Sequence, residues 1–166
     1  MKKIAVYPGS FDPVTRGHLD IVHRASRLFD RVIVAVLSNP AKKCTFSVAE
    51  RLGMLEECVR GMPGVEVDAM PGLLVDYLRK RDSHIIIRGL RAVSDLDYEF
   101  QMAAVNRQLH PKVETVFLMP DDRYTYLSST IVKSVASFGA SLDHYLPAPA
   151  ARMLRRKYRI RRKSAR

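Results

Sequence analysis

Long apolar runs are missing from this chain. No stretch of its 166 residues approaches the roughly 18 consecutive apolar residues that a membrane span requires. No apolar h-region with a cleavage site follows Met1-Lys2-Lys3, so a cytosolic protein is expected. Cysteine is scarce: Cys44 and Cys58 form neither a CxxC pair nor a disulfide framework, and reduced thiols are the expectation. No Ser-His-Asp or Cys-His arrangement is suggested, and no ligand cluster for a protein-held metal, which turns attention away from triad hydrolysis and from a resident metal centre. Internal repeats are absent, and the C-terminus is the one biased segment. From Arg152 to Arg166 there are nine basic residues and no acidic one. That run carries most of the net charge of +11, because positions 1–151 hold 19 basic against 17 acidic residues. A nearly neutral body with a basic end argues against a nucleic-acid-binding fold, although the end itself could hold RNA or DNA.

A chain of this length that is 47% hydrophobic makes one domain with a sizeable core. Apolar runs at 4–7, 32–37, 85–87 and 116–119 suit parallel strands covered on both faces. Residues 65–69 alternate apolar and polar, which fits an edge strand. Helical periodicity fills 17–29, 47–60, 73–81, 96–109 and 129–138, and Ser47 with Glu50 is a capping-box signature. The first helix is expected to bury Ile21, Val22, Ala25, Leu28 and Phe29. Regular alternation of strand and helix predicts an α/β fold, a doubly wound sheet of five parallel strands, in a domain spanning 1–147. Pro147 and Pro149 then break the chain, and 148–166 is expected to be a basic helix or tail.

The segment Tyr7-Pro-Gly-Ser-Phe-Asp-Pro-Val-Thr-Arg-Gly-His18 carries the most information. A strand enters a turn, and His18 stands at the mouth of the following amphipathic helix. Strand, Gly-containing turn and helix N-terminus together offer free N–H groups and a positive dipole end, a setting for phosphate. A histidine there either caps its own helix or donates to a phosphoanhydride, and Thr15-x-Gly17-His18 in this position favours the second role. Arg88 and Arg91 flank Gly89 immediately after a buried strand. They can pair with Asp95, Asp97 or Glu99, or bind phosphate or carboxylate, and the strand-end position favours the anion. Ser128-Ser129-Thr130 reads as a helix N-cap, whose N–H groups are also those that bind phosphate. In an open α/β sheet all these loops lie at the carboxyl ends of strands, where ligands bind.

Thr15-x-Gly-His18 after the first strand, with Ser128-Ser-Thr-Ile-Val-Lys133 near the end, resembles the HxGH-type nucleotidyltransferase superfamily. Tyr7–Thr15, Ile87-Arg-Gly-Leu-Arg91, Tyr98-Glu-Phe-Gln-Met102 and Val116-Phe-Leu-Met-Pro120 narrow the resemblance to the bacterial phosphopantetheine adenylyltransferase family, in one register from about Lys3 to Pro147. The resemblance implies a Rossmann-like nucleotidyltransferase fold. It also implies a reversible reaction of ATP with 4′-phosphopantetheine giving dephospho-coenzyme A and pyrophosphate, Mg²⁺ carried on the ATP phosphates, and a cytosolic homohexamer. It gives catalytic roles to His18, Lys42 and Arg91, and phosphopantetheine contacts to Ser10, Lys42, Leu74 and Arg88. ATP contacts fall to Ser10, Phe11, His18, Gly89, Leu90, Arg91, Glu99, Tyr124, Thr125, Tyr126, Leu127, Ser128, Ser129 and Thr130.

Such chemistry needs no general base. A phosphate monoester has a second pKa near 6, so the acceptor is already mostly dianionic at neutral pH. In-line attack on the α-phosphorus without a covalent enzyme intermediate is therefore expected, with positioning and electrostatics lowering the barrier. Two features depart from the pattern. Ser10 stands where some members carry Thr, which keeps the hydroxyl, and Lys133 stands where the superfamily often has Arg, which loses bidentate geometry. Other small nucleotidyltransferases, such as a nicotinate-mononucleotide adenylyltransferase or a cytidylyltransferase, are the nearest alternative.

Overall fold

The computed structural model describes residues 2–38, 43–92 and 95–158. Five strands, β1 (Ile4–Gly9), β2 (Arg31–Ser38), β3 (Val65–Pro71), β4 (Ile85–Gly89) and β5 (Glu114–Leu118), form one sheet in the order β3-β2-β1-β4-β5. Every neighbouring pair is parallel. The helices are α1 (Arg16–Ala25), α2 (Val48–Val59), α3 (Leu74–Lys80), α4 (Leu96–Leu109), α5 (Ser129–Ser137) and α6 (Ala148–Lys157), with a 3₁₀ turn at Asp122–Tyr124 before α5. The α/β class and the five-stranded parallel sheet agree with the sequence expectation, and the alternating segment is indeed an edge strand, β3.

Alternation along the strands sorts side chains into two cores. Ala5, Tyr7, Val32, Val34, Val36 and Ile87 point to one face, against α1, α2, α5 and α6. Val6, Ile33, Ala35, Met70 and Ile86 point to the other, with Tyr77 and Leu78 of α3. Strands buried on both faces need continuous apolar runs, which is why β1, β2 and β4 have them.

The chain winds outward from β1 to β3, then returns to place β4 on the other side of β1. The switch point lies between β1 and β4, where an open α/β sheet forms its ligand crevice. The ladder there is short. Only Ala5–Ile85 and Val6–Ile86 pair, whereas β1 and β2 pair from Ile4–Arg31 to Gly9–Val36. Beyond Val6 and Ile86 the two strands give up their ladder, and their carboxyl ends frame a crevice.

Local signals set the helix starts. Ser47 Oγ accepts from the Glu50 N–H, and Glu50 Oε2 accepts from the Ser47 N–H at 2.7 Å, completing the capping box. The first helix is shorter than its periodicity suggests. It ends at Ala25, and Leu28, expected in the core, is 58% exposed, because the chain turns through Ser26–Leu28 before Phe29 packs back. Helix α6 buries Ala150, Ala151 and Leu154 in the larger core, and its Arg152, Arg155 and Lys157 pair with Glu57, Asp143 and Glu50. Part of the basic run therefore packs on the body and shares charge with it. Among the described residues no helix is long and apolar enough to cross a membrane.

Candidate active site

A polar cleft of about 380 Å³ opens at the switch point. Tyr7–Phe11 from the end of β1, Thr15, Gly17 and His18 from the start of α1, Arg88, Gly89 and Arg91 from the end of β4, and Leu127–Thr130 from the start of α5 line it. Two helix N-termini therefore meet two strand ends at one cleft, an arrangement that favours anions. The turn after β1 is tightly built. Phe11 adopts φ +46°, unusual for a bulky residue, and its ring lies over Gly9, where a Cβ would come within 2.8 Å of Phe11 Cζ. Phe11 stacks edge-on against Tyr7 on one side and the His18 imidazole on the other, with ring centroids 5.4 and 5.1 Å away.

His18 caps its helix and faces the cleft at once. Thr15 is the N-cap of α1: its hydroxyl accepts from the His18 N–H at 3.2 Å, and its own N–H donates to His18 Nδ1 at 3.0 Å. This is a capping box with histidine in the place of glutamate or glutamine. An Nδ1 that accepts a hydrogen bond carries no proton, so the neutral ring holds its proton on Nε2. Burial, with the Arg91 and Arg88 charges nearby, lowers the ring's pKa from 6.5 to about 4. The sequence suggested a protonatable donor; burial, reinforced by the cations around the ring, makes it instead a neutral donor, through Nε2–H.

The two arginines are held differently. Arg88 donates from Nε and Nη2 to both Glu99 oxygens at 2.7 and 2.6 Å, and from Nη1 to the Pro8 carbonyl at 2.9 Å. Burial works against the Arg88 charge, but Glu99 outweighs it and raises the guanidinium pKa. Arg91 is looser, reaching Asp95 and the Leu127 carbonyl only at 3.3 Å each, so it can swing toward an arriving anion. Tyr7 stands beside both: burial pushes its phenol up to about 12 against the pull of these arginines, so it faces the cleft as a neutral hydroxyl.

A second, apolar cavity of about 230 Å³ lies on the far side of Arg88 and Glu99, which line both spaces together with Pro8. Leu37, Met70, Leu73, Leu74, Ile86 and Met102 supply most of its apolar wall, with Tyr98 and Asn106 at α4.

The structure thus gathers most of the expected residues. Ser10, Phe11, His18, Gly89, Arg91, Leu127, Ser128, Ser129 and Thr130 line the polar cleft, Leu74 the apolar cavity, and Arg88 and Glu99 both. Ser128 caps α5 through the Ile131 N–H, and Ser129 donates to the Pro13 carbonyl at 2.7 Å, so the capping and cleft-lining readings of this segment coexist. Lys42 lies outside the described residues. Leu90, Tyr124, Thr125 and Tyr126 line neither cavity: the Leu90 N–H extends the ladder to the Leu118 carbonyl, Tyr124 packs beside Gly17, and Tyr126 is 81% exposed. Glu99, a helix residue that could have been solvent-facing, is buried on Arg88.

Lys133, the departure from the superfamily's arginine, donates to Asp12 Oδ2 at 2.8 Å. Asp12 also accepts from the Thr45 and Phe46 N–H groups, both at 2.9 Å. Burial raises this carboxyl's pKa, but Lys133 and the two N–H groups overcome it and leave it lowered. The late-motif cation therefore ties α5 to the turn after β1. Tyr7 and Met102 lie in sequence motifs that gave them no role of their own, and Asp95 stood only as an ion-pair candidate; the fold is what brings all three to the cavities.

The cytidylyltransferase-like family matches residues 6–135. The phosphopantetheine adenylyltransferase of Caldanaerobacter subterraneus subsp. tengcongensis is 53% identical over 157 residues, covering 95% of this chain and 98% of that protein. That of Dictyoglomus thermophilum is 53% identical over 159 residues, covering 96% and 97%. Among solved structures, a candidate nicotinate-nucleotide adenylyltransferase of Vibrio parahaemolyticus superposes with a TM-score of 0.72 at 17% identity, covering 96% of each chain. At that identity the likeness is one of fold. The chain belongs to the phosphopantetheine adenylyltransferase family of cytidylyltransferase-like proteins.

Proposed function

We propose that this protein joins the adenylyl group of ATP to 4′-phosphopantetheine, giving dephospho-coenzyme A and pyrophosphate. The observation that carries this reading is the pair of cavities divided by Arg88 and Glu99: a polar cleft suited to a triphosphate beside an apolar slot suited to a thiol-ended arm. The relatives named above carry the same activity in their names.

The acceptor's phosphate arrives near Arg88 and Arg91 as a dianion. Its oxygen attacks the α-phosphorus in line, the bond to the β-phosphate oxygen breaks, and no proton has to move at the reacting atoms. His18 donates from Nε2–H to the α-phosphoryl oxygens, where negative charge gathers in the transition state. Arg91, loosely held in the free protein, follows that charge, and Lys42 is assigned a similar task by family resemblance. Leu74 packs beside the pantetheine arm.

ATP enters as its magnesium complex. The carboxylates bordering the cleft, Asp95 and Glu99, are paired with Arg91 and Arg88, a donor set that fits a cation carried by the triphosphate better than one gripped by the protein. Magnesium neutralises phosphate charge when bound. The family resemblance further makes the protein a cytosolic homohexamer. Tyr98, Phe100, Val105 and Leu109 of α4, all well exposed, supply apolar surface for contacts between copies.

Pyrophosphate release from ATP is the test. It should require 4′-phosphopantetheine, and nicotinate mononucleotide should not replace it. Release with nicotinate mononucleotide but not 4′-phosphopantetheine overturns the reading.

A further inference from the structure

Arg51, near the start of α2, carries no role in the proposed reaction, yet it is 3% exposed and joins three segments: the turn after β1, the end of β2 and the start of α2. Its Nη1 donates to the Ser10 carbonyl at 2.6 Å and to the Leu37 carbonyl at 3.0 Å. Its Nε donates to the Phe46 carbonyl at 3.1 Å and the Ser47 carbonyl at 3.3 Å. Among the described residues no carboxylate pairs with it. Four carbonyl dipoles stand in for a counter-ion, so the charge is solvated by backbone and left uncancelled behind the cleft.

Two of the acceptors belong to residues that line the cavities, Ser10 the polar cleft and Leu37 the apolar one. Leu37 is near the end of β2, and Phe46 and Ser47 lead into α2, so Arg51 bridges the two ends of the β2–α2 connection. Asp12 braces the same place from the other side through the Thr45 and Phe46 N–H groups. A guanidinium suits such a job because it is planar, carries five donors in a fixed fork, and keeps its charge at ordinary pH. A lysine ammonium cannot span the same four oxygens.

We infer that Arg51 is a positioning residue for adenylyl transfer: from inside the protein it fixes Ser10 and the ends of the β2–α2 connection, so the anion-binding groups stand ready before substrate arrives. The inference rests on the proposed reaction and deepens it.

A double-mutant cycle of Arg51→Lys and Ser10→Ala tests it, read by pyrophosphate release and by thermal melting. R51K is expected to lower kcat about tenfold, the equivalent of one ordinary hydrogen bond, while KM for ATP stays within about twofold. S10A is expected to cost about tenfold in the wild-type background and under about threefold in R51K, because the hydroxyl is already misplaced there. If R51K lowers only the melting temperature, or if S10A costs the same in both backgrounds, Arg51 is structural and the inference fails. Should R51K not fold, arginine side-chain NMR of the wild-type protein carries the test. The Arg51 Nε–H must be protected from solvent exchange before ATP is added, and a signal that becomes protected only with ATP bound overturns the inference. A wild-type protein that releases no pyrophosphate with 4′-phosphopantetheine defeats the proposed function instead, a result separate from either outcome.

Discussion

His18 performs two jobs with two nitrogens, and two substitutions separate them. Nδ1 accepts the Thr15 N–H at the start of α1, and Nε2–H is left to donate into the cleft. His18→Gln keeps the cap, because glutamine is a residue that capping boxes ordinarily use at this position. His18→Ala removes both functions. Loss of the reciprocal Thr15 N–H bond, with the Thr15 cap itself intact, costs about 1 kcal/mol, or about 2–4 °C in melting temperature for a chain of this size. Loss of a preorganised donor to the transition state costs roughly 10²–10³-fold in turnover, about 3–4 kcal/mol of barrier. H18Q should therefore melt close to the wild type yet turn over at least about a hundredfold slower. H18A should be as slow and also less stable. Pyrophosphate release at saturating substrates gives kcat, and calorimetric titration gives ATP affinity, which should change much less than kcat in both variants. An H18Q enzyme with kcat within about threefold of the wild type removes the Nε2–H donor from the mechanism.

Three further outcomes follow from the same geometry. Glu99→Gln leaves Arg88 with a weaker partner on the wall between the cavities, so KM for 4′-phosphopantetheine should rise about tenfold, the equivalent of one ordinary hydrogen bond, and KM for ATP less; a larger change for ATP means that Glu99 acts on the nucleotide directly. The His18 ring should titrate near pH 4 rather than 6.5 in an NMR titration. Its pKa is depressed on folding, so the unfolded state binds more protons between about 4 and 6.5. Its contribution to stability is therefore full above pH 6.5 and is lost as pH falls through that window. Any acid limb of the rate near pH 6 then belongs to the acceptor phosphate and should persist in H18Q. Lys133→Met strands the Asp12 carboxylate with only two N–H partners, at a cost of about 3 kcal/mol by chemical denaturation. Asp12 stabilises the fold above the ordinary carboxylate range and loses that effect as pH falls through its lowered folded value. K133M raises that value, so acid unfolding should move to higher pH; an unmoved transition shows that the pair contributes nothing.

Much of this protein was legible in its order of residues, because the physics involved is short-ranged. Apolar runs and 3.6-residue periods named the five strands and the first five helices, leaving 148–166 as helix or tail, and Ser47 with Glu50 announced a cap that forms as written. The Thr15–His18 segment, Arg88, Arg91 and Ser128–Thr130 stood out because strand ends and helix starts are local features, and a doubly wound sheet gathers them at one edge. What the tertiary structure alone decided depends on groups far apart in sequence. Leu28 falls on the apolar face of a helix that ends before reaching it. Lys133 and Asp12 meet across 121 residues, and Arg51 reaches Ser10 across 41. The charge state of His18 follows first from its burial and then from Arg91 and Arg88, some 70 positions away in the chain. Such couplings arise from desolvation and direct contact, which exist only after the chain has closed on itself; no window of neighbouring residues contains them.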